Sequence, residues 1–124
     1  MAHILVVDDS RLTRRMIAGP LTADGHEVRQ AGNGVEALAA CGEGLPDLVI
    51  TDLLMPEMDG FELSERLAEL HPELPVVVAS ADIQEKSHER CRAANVRQIL
   101  QKPFTPEQVR AALSEALDRE AVNS

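Results

Sequence analysis

Four short apolar runs in this sequence each lead into polar side chains that can handle a phosphate group or a metal ion. These side chains are Asp8 and Asp9 after the first run, then Asp52, Ser80 and Lys102 after the other three. Carboxylates are hard oxygen ligands that suit Mg²⁺, and a carboxylate can also attack phosphorus to form an acyl phosphate. A hydroxyl and an ammonium can hold the oxygens of a transferred phosphoryl group. The residue types therefore indicate metal-assisted phosphoryl chemistry if the fold brings them together.

The elements that must position these residues follow from the alternation of apolar runs with amphipathic stretches. Strands are predicted at residues 3–8, 26–31, 47–52, 75–80 and 97–101, and helices at residues 10–24, 34–43, 59–71, 84–94 and 106–120. Three of the strands are continuously apolar, as in strands that helices cover on both faces, whereas the second strand has the mixed character of an edge. Five such units with right-handed crossovers predict an α/β fold, a three-layer sandwich around a five-stranded parallel sheet with five helices. The polar residues would then lie at the carboxyl ends of the strands, where such sheets place their functional crevice.

One dipeptide conflicts with this scheme, because Gly19 and Pro20 lie inside the first predicted helix. Proline removes a backbone donor and clashes with the preceding turn, which costs about 3 kcal/mol in a helix interior. The helix must therefore kink there or stop and restart. A kink is expected, since Met16, Ile17 and Leu21 keep a helical spacing that would face the core.

Length and composition are those of one soluble globular domain. The chain has 124 residues, of which 44% are hydrophobic and 27% are charged, and its apolar runs are too short to span a bilayer. Residues 1–120 are predicted to form the domain, with Thr105 as the N-cap of the last helix and residues 121–124 as a frayed tail. The N-terminus lacks the features of a secretory signal, which favours a cytoplasmic protein.

Charge and residue content restrict the partners. The formal net charge is −9, and the chain has two Phe but neither Trp nor Tyr. The sequence has no run of basic residues and no aromatic platform for stacking bases, which argues against direct nucleic-acid binding. Cys41 and Cys91 lack the spacing of metal ligands, so reduced thiols are the default interpretation. Met55 and Met58 are expected to pack in the loop that follows the third strand.

Four motifs together carry a resemblance to a known family. They are Asp8-Asp9, the segment DLLMPEMDG at residues 52–60, Ser80-Ala81, and Lys102-Pro103. In combination they resemble the receiver domain of two-component response regulators, of the stand-alone type similar to chemotaxis regulators, and the resemblance covers essentially the whole chain. It implies a flavodoxin-like sheet with the strand order 2-1-3-4-5.

The resemblance also implies an activity. A phosphoryl group would pass from a phosphohistidine of a sensor histidine kinase to Asp52, and Ser80 and Lys102 would hold the oxygens of that group. The domain would be no enzyme beyond its own phosphorylation and slow autodephosphorylation. Phosphorylation would switch the binding of protein partners.

The metal site implied by the resemblance uses the acidic residues of the first and third strands. Asp9 and Asp52 would bind Mg²⁺ directly, Asp8 would bind it through water, and Leu54 would offer its backbone carbonyl. For the first two acidic residues a simpler interpretation stays open. Asp9 or Ser10 would merely cap the first helix, and Asp8 would be solvated.

The partner surface is a further expectation. In relatives the face formed by the fourth helix, the fifth strand and the fifth helix commonly binds the downstream target, which here means about residues 84–120. Part of this face is polar and basic: Gln84, Lys86, Arg90, Arg97, Gln98 and Gln101. Many relatives carry Tyr or Phe where this chain has Ile99, so the switch is hypothesised to run through residues 81–92 without a large side-chain rotation at Ile99.

Other functions remain open at this point. Within the same family, the domain could be a phosphate sink or a relay intermediate. An aspartyl-phosphate hydrolase of the haloacid-dehalogenase type would need a second carboxylate two residues after the nucleophile, where this chain has Leu54. A flavodoxin relative would need a Ser/Thr-rich phosphate loop and aromatic residues, whereas Asp8 and Asp9 would repel phosphate.

Overall fold

The computed structural model describes residues 2–52, 58, 60–80, 96–101 and 104–122. Strands β1 to β5 are His3–Val7, Glu27–Ala31, Leu48–Asp52, Val76–Ser80 and Val96–Gln101, and helices α1 to α4 are Arg11–Ala23, Gly34–Glu43, Gly60–Leu70 and Pro106–Val122. These bounds confirm five predicted strands and four predicted helices, with shifts of one or two residues at their ends. The helix predicted at residues 84–94 lies outside the described residues, so that α4 corresponds to the fifth predicted helix.

The strands form one parallel sheet in the order β2-β1-β3-β4-β5, which confirms the order that the resemblance implied. β1 lies beside β3 with Val7 opposite Thr51. The residues that follow, Asp8 and Asp52, are therefore neighbours across the two strands. Asp52 in turn pairs with Ala79 of β4. The carboxyl ends of the three central strands thus meet at one edge of the sheet.

Alternate residues of the strands are buried on opposite faces of the sheet, as the pleat requires. Ile4 and Val6 of β1 pack in a cluster with residues of α1 and α4, whereas Leu5 and Val7 pack in a second cluster with residues of α2 and α3. A fully buried Leu, Ile or Val contributes about 1.5–3 kcal/mol to stability. The two apolar clusters therefore hold the three layers together, since exposed ion pairs contribute about 1 kcal/mol or less.

α1 runs without interruption through Gly19 and Pro20 to Ala23. Pro20 lies in the last turn of this helix, so its missing N–H removes one backbone hydrogen bond close to the helix end. The stripe expected to face the core is only partly correct: Ile17 and Leu21 are buried, but the Met16 side chain is 54% exposed. Met16 lies one residue before Ile17, about 100° around the helix, which turns its side chain away from the sheet.

α4 begins with the cap predicted at Thr105. The Gln108 N–H donates to Thr105 Oγ1 at 3.2 Å, and the Thr105 N–H donates to Gln108 Oε1 at 2.8 Å, which is a reciprocal capping box. Val109, Leu113 and Ala116 are buried along one side of α4, which is the side that packs in the core. Among the helices described, none is both long enough and apolar enough to cross a membrane.

Candidate functional site

Asp52 ends β3 at the centre of the sheet. Every residue of this strand is buried, and Asp52 is 8% exposed, so its carboxylate lies close to the surface at the edge of the sheet. The hydroxyl of Thr51 donates to the carbonyl oxygen of Asp52 at 2.9 Å. This bond satisfies a buried polar group next to the candidate nucleophile and fixes the end of the strand.

Asp8 and Asp9 occupy the connection between β1 and α1. The Asp8 N–H donates to the carbonyl of Ala31 at 3.2 Å, which extends the pairing of β1 with β2 by one residue. Asp8 Oδ1 accepts a hydrogen bond from the Ser10 N–H at 2.8 Å, and Asp8 is only 1% exposed. Asp9 is exposed. Because Asp8 is buried, the interpretation that it is merely solvated is wrong.

Ser10 is the N-cap residue of α1. Its hydroxyl oxygen accepts from the Thr13 N–H at 3.3 Å, as an N-cap residue does. This part of the simpler interpretation is correct. It does not account for Asp9, because the capping oxygen belongs to Ser10 and not to the Asp9 carboxylate.

The three carboxylates converge. One carboxylate oxygen from each of Asp8, Asp9 and Asp52 lies within 4.8 Å of the other two. At an effective dielectric constant of about 20, two unit charges at such a separation repel each other by about 3 kcal/mol. A divalent cation converts this repulsion into attraction, and oxygen donors from a few carboxylates are what Mg²⁺ prefers. The donor set therefore fits a hard divalent cation.

The remaining predicted site residues lie at or beyond the limit of the described structure. Leu54 and Lys102 lie outside the described residues, as does the side chain of Ser80. The Ser80 backbone follows Ala79, the partner of Asp52, and pairs with Gln101 at the end of β5. The backbone therefore brings Ser80 and the residue before Lys102 to the same edge of the sheet as the acidic residues.

Arg14 of α1 contacts the site, although the sequence analysis did not identify it as a site residue. Its Nη1 donates to the carbonyl oxygen of Asp8, and its Nε donates to Gln30 Oε1 of β2 at 3.2 Å. A sequence signal did exist, because a cation in the first turn of a helix opposes the helix dipole. A basic residue at such a position needs another reason to be there.

The loop after β3 packs as expected where it is described. Met58 is 8% exposed and belongs to the cluster formed with α2 and α3, whereas Met55 lies outside the described residues. Ile99 of β5 is half-buried and packs against the same cluster. Residues 81–92, the hypothesised route of the switch, lie outside the described residues. So do Gln84, Lys86 and Arg90 of the predicted partner face.

Comparison with known proteins identifies the family. A family model described as the response regulator receiver domain matches residues 4–114. This chain is a receiver domain. The receiver domain is 34% identical over 116 residues to the sensor histidine kinase RcsC of Salmonella typhi, covering 94% of this chain and 12% of that protein. It is also 34% identical over 117 residues to the response regulator MprA of Mycobacterium sp. strain KMS, covering 94% of this chain and 51% of that protein.

Solved structures of receiver proteins have the same fold. The chemotaxis protein CheY4 of Vibrio cholerae superimposes with a TM-score of 0.90 at 32% identity, covering 94% of this chain and 99% of that one. The receiver domain of NtrX from Brucella abortus superimposes with a TM-score of 0.88 at 33% identity. The match covers 93% of this chain and 98% of that one. The chain thus spans nearly the full length of single receiver structures but only about half the length of MprA and 12% of RcsC. Family membership favours the receiver interpretation over the haloacid-dehalogenase and flavodoxin alternatives.

Proposed function

We propose that this receiver domain accepts a phosphoryl group on Asp52 in a Mg²⁺-dependent reaction and thereby switches the binding of protein partners. The observation that carries the proposal is the convergence of Asp8, Asp9 and Asp52 within 4.8 Å at the carboxyl edge of the sheet. Asp52 ends the central strand, where an incoming donor can reach it, whereas Asp8 is more deeply buried. This difference in exposure supports Asp52 as the nucleophile and Asp8 as a supporting ligand.

In the proposed reaction an oxygen of Asp52 attacks phosphorus while the bond between phosphorus and its leaving group breaks, which leaves an acyl phosphate on the protein. Asp8, Asp9 and Asp52, with the Leu54 carbonyl, would hold Mg²⁺. When bound, the metal supplies positive charge against the oxygens of the transferring group. The Ser80 hydroxyl and the Lys102 ammonium would hold the same oxygens. The pairing of Ser80 at the end of β4 with Gln101, the residue before Lys102, supports these roles.

The phosphoryl donor and the downstream protein partner are inferred from the chemistry of the site and from membership of the receiver family. A phosphohistidine on a sensor histidine kinase or on a phosphotransfer protein would supply the phosphoryl group, and the likeness to a region of RcsC, named as a sensor histidine kinase, supports this class of donor. A downstream protein would bind the face at about residues 84–120. The role of a phosphate sink or relay intermediate is the second candidate. It is favoured by Ile99, which is half-buried against the core and lacks an aromatic ring that could report phosphorylation.

The experiment that tests the proposal is incubation with acetyl phosphate and Mg²⁺, followed by intact mass spectrometry. The wild-type protein should gain one phosphoryl group, and Asp52→Asn should gain none. Asp47→Asn is a matched control, because Asp47 is exposed and precedes β3 at the opposite end of the strand, so this variant should be phosphorylated like the wild type. Removal of Mg²⁺ with a chelator should abolish the gain. Phosphorylation of Asp52→Asn at the wild-type level would refute the assignment.

A further inference from the structure

We propose that Arg14 is a positioning residue of the acidic site: it fixes the connection that carries Asp8 and Asp9, and it raises Mg²⁺ affinity through geometry and not through its charge. The inference rests on the proposed function, because it assumes that the three carboxylates bind Mg²⁺. It concerns a residue that has no atom in the proposed ligand set.

The contacts of Arg14 join three elements of the fold. Its backbone N–H donates to the carbonyl of Ser10 at 3.0 Å, within the first turn of α1. Its guanidinium donates to the Asp8 carbonyl at the end of β1 and to Gln30 Oε1 of β2. The planar fork of an arginine can hold two acceptors in a fixed arrangement, which a lysine ammonium does less well. One side chain therefore locks the short connection between β1 and α1 against the neighbouring strand.

The position of Arg14 is unfavourable for the helix itself. A positive charge in the first turn faces the positive end of the helix dipole, an effect worth about 0.3–1 kcal/mol on exposed surfaces. The hydrogen bonds to Asp8 and Gln30 must offset this cost. The bond to the Asp8 carbonyl acts on the peptide that links Asp8 to Asp9, and the orientation of this peptide affects where both carboxylates point.

Two effects of Arg14 on Mg²⁺ oppose each other. Its positive charge repels a second cation, so removal of the charge alone would tighten Mg²⁺ binding. The hydrogen bonds of Arg14 hold the carboxylate ligands in place, and Mg²⁺ demands near-octahedral geometry. Loss of these hydrogen bonds alone would therefore weaken Mg²⁺ binding. Arg14 is half-buried, and solvent screening reduces the Coulomb effect at such a position. Outer partners that orient metal ligands typically change metal affinity by about 10- to 100-fold. The geometric effect is therefore the larger one.

The test is a Mg²⁺ titration of the unphosphorylated protein, followed through its backbone amide resonances by NMR. Arg14→Gln removes both the positive charge and the planar guanidinium group, whereas Arg14→Lys keeps the charge and removes only the guanidinium group. Both variants should bind Mg²⁺ about tenfold more weakly than the wild type. Arg15→Gln is the matched control, because Arg15 is the exposed neighbour on the same helix and its loss changes the net charge equally. It should bind Mg²⁺ as the wild type does or slightly more tightly.

A second, milder variant keeps the test decisive if the Arg14 variants do not fold. Gln30→Ala removes only one acceptor of Arg14 at an exposed position, and it should weaken Mg²⁺ binding by about two- to threefold. Wild-type affinity in Arg14→Lys, or tighter binding in Arg14→Gln, would overturn the positioning role and leave the proposed function intact. A wild-type protein that does not bind Mg²⁺ would instead remove the proposed function together with this inference.

Discussion

Gly34, the first residue of α2, lies directly against Met58 in the loop that follows β3. A Cβ atom at Gly34 would lie 2.8 Å from Met58 Cβ, Cγ and Sδ, a separation that side-chain carbon atoms do not tolerate. Since Met58 Cβ is bonded to the backbone, rotation of the side chain alone cannot remove the clash. The start of α2 and the loop after Asp52 therefore constrain each other, and the absence of a side chain at Gly34 permits their close approach.

Gly34→Ala should destabilise the protein although alanine favours helices. Helix propensity alone predicts a gain of about 1 kcal/mol, whereas overpacking against Met58 costs about 1–3 kcal/mol. The free energy of unfolding, measured by urea denaturation followed by circular dichroism, should fall. Gly42→Ala lies in the same helix, where a Cβ atom would have no neighbour within 4 Å among the described residues, and it should raise the free energy of unfolding. Destabilisation of Gly34→Ala should be partly relieved when Met58→Ala is added; if it persists unchanged, the contact with Met58 is not its cause.

Asp9→Asn should have opposite effects on stability with and without Mg²⁺. Without the metal, removal of one of three mutually repelling carboxylates should stabilise the fold by about 0.5 kcal/mol, a small effect because Asp9 is exposed and screened. In wild-type protein, Mg²⁺ at ten times its dissociation constant should add about 1.4 kcal/mol, and most of this gain should vanish in Asp9→Asn. Thermal or urea unfolding at low and high Mg²⁺ measures both effects.

Glu69→Gln is the control for that prediction, since Glu69 is an exposed acidic residue of α3. It should change stability little and leave the stabilisation by Mg²⁺ at the wild-type level. Equal Mg²⁺ stabilisation in wild type and in Asp9→Asn would exclude Asp9 from the metal site.

Cys41 should be a poorly reactive thiol in the folded protein. Burial in α2 raises the pKa of the Cys41 thiol above its ordinary value, and the nearby Arg29 guanidinium offsets only part of this effect. The thiolate is the reactive form. Alkylation by iodoacetamide at pH 8, quantified on the peptide that contains Cys41, should therefore be much slower in folded than in urea-unfolded protein.

The same shift in pKa predicts how stability depends on pH. Because the pKa of the Cys41 thiol is higher in the folded than in the unfolded protein, the unfolded protein loses this proton first as the pH rises. The contribution of the Cys41 thiol to stability is then complete below about pH 8.5 and decreases as pH rises above that value. The difference in unfolding free energy between wild type and Cys41→Ala should therefore shrink from pH 8 to pH 10. A difference that grows over this interval would contradict the prediction.

The strands and the residues at their carboxyl ends could be predicted from the sequence because both are local properties. A continuously apolar run such as β3 has to be buried on both faces, and the polar residue that ends it has to lie at the rim of the sheet. The N-cap at Thr105 was predictable for the same reason, since its hydrogen bond joins residues three positions apart. The strand order was not local, and it came only from the resemblance to receiver domains.

Where sequence reasoning failed, the missing information was spatial. Met16 has the spacing of a core residue, yet the orientation of α1 on the sheet leaves its side chain exposed, because periodicity does not fix which arc of a helix faces its support. Arg14 was not singled out in the sequence, and only the fold brings it beside Asp8 and Gln30.

The amino-acid sequence by itself determined which elements form and which chemical groups stand at their ends, since propensity, burial and capping act over a few neighbouring residues. The tertiary structure alone decided how closely the carboxylates of Asp8, Asp9 and Asp52 approach one another. It also placed Arg14 against the Asp8 carbonyl and Met58 against Gly34. These relationships depend on distances between residues far apart in the chain, which only the packing of the sheet and its helices sets.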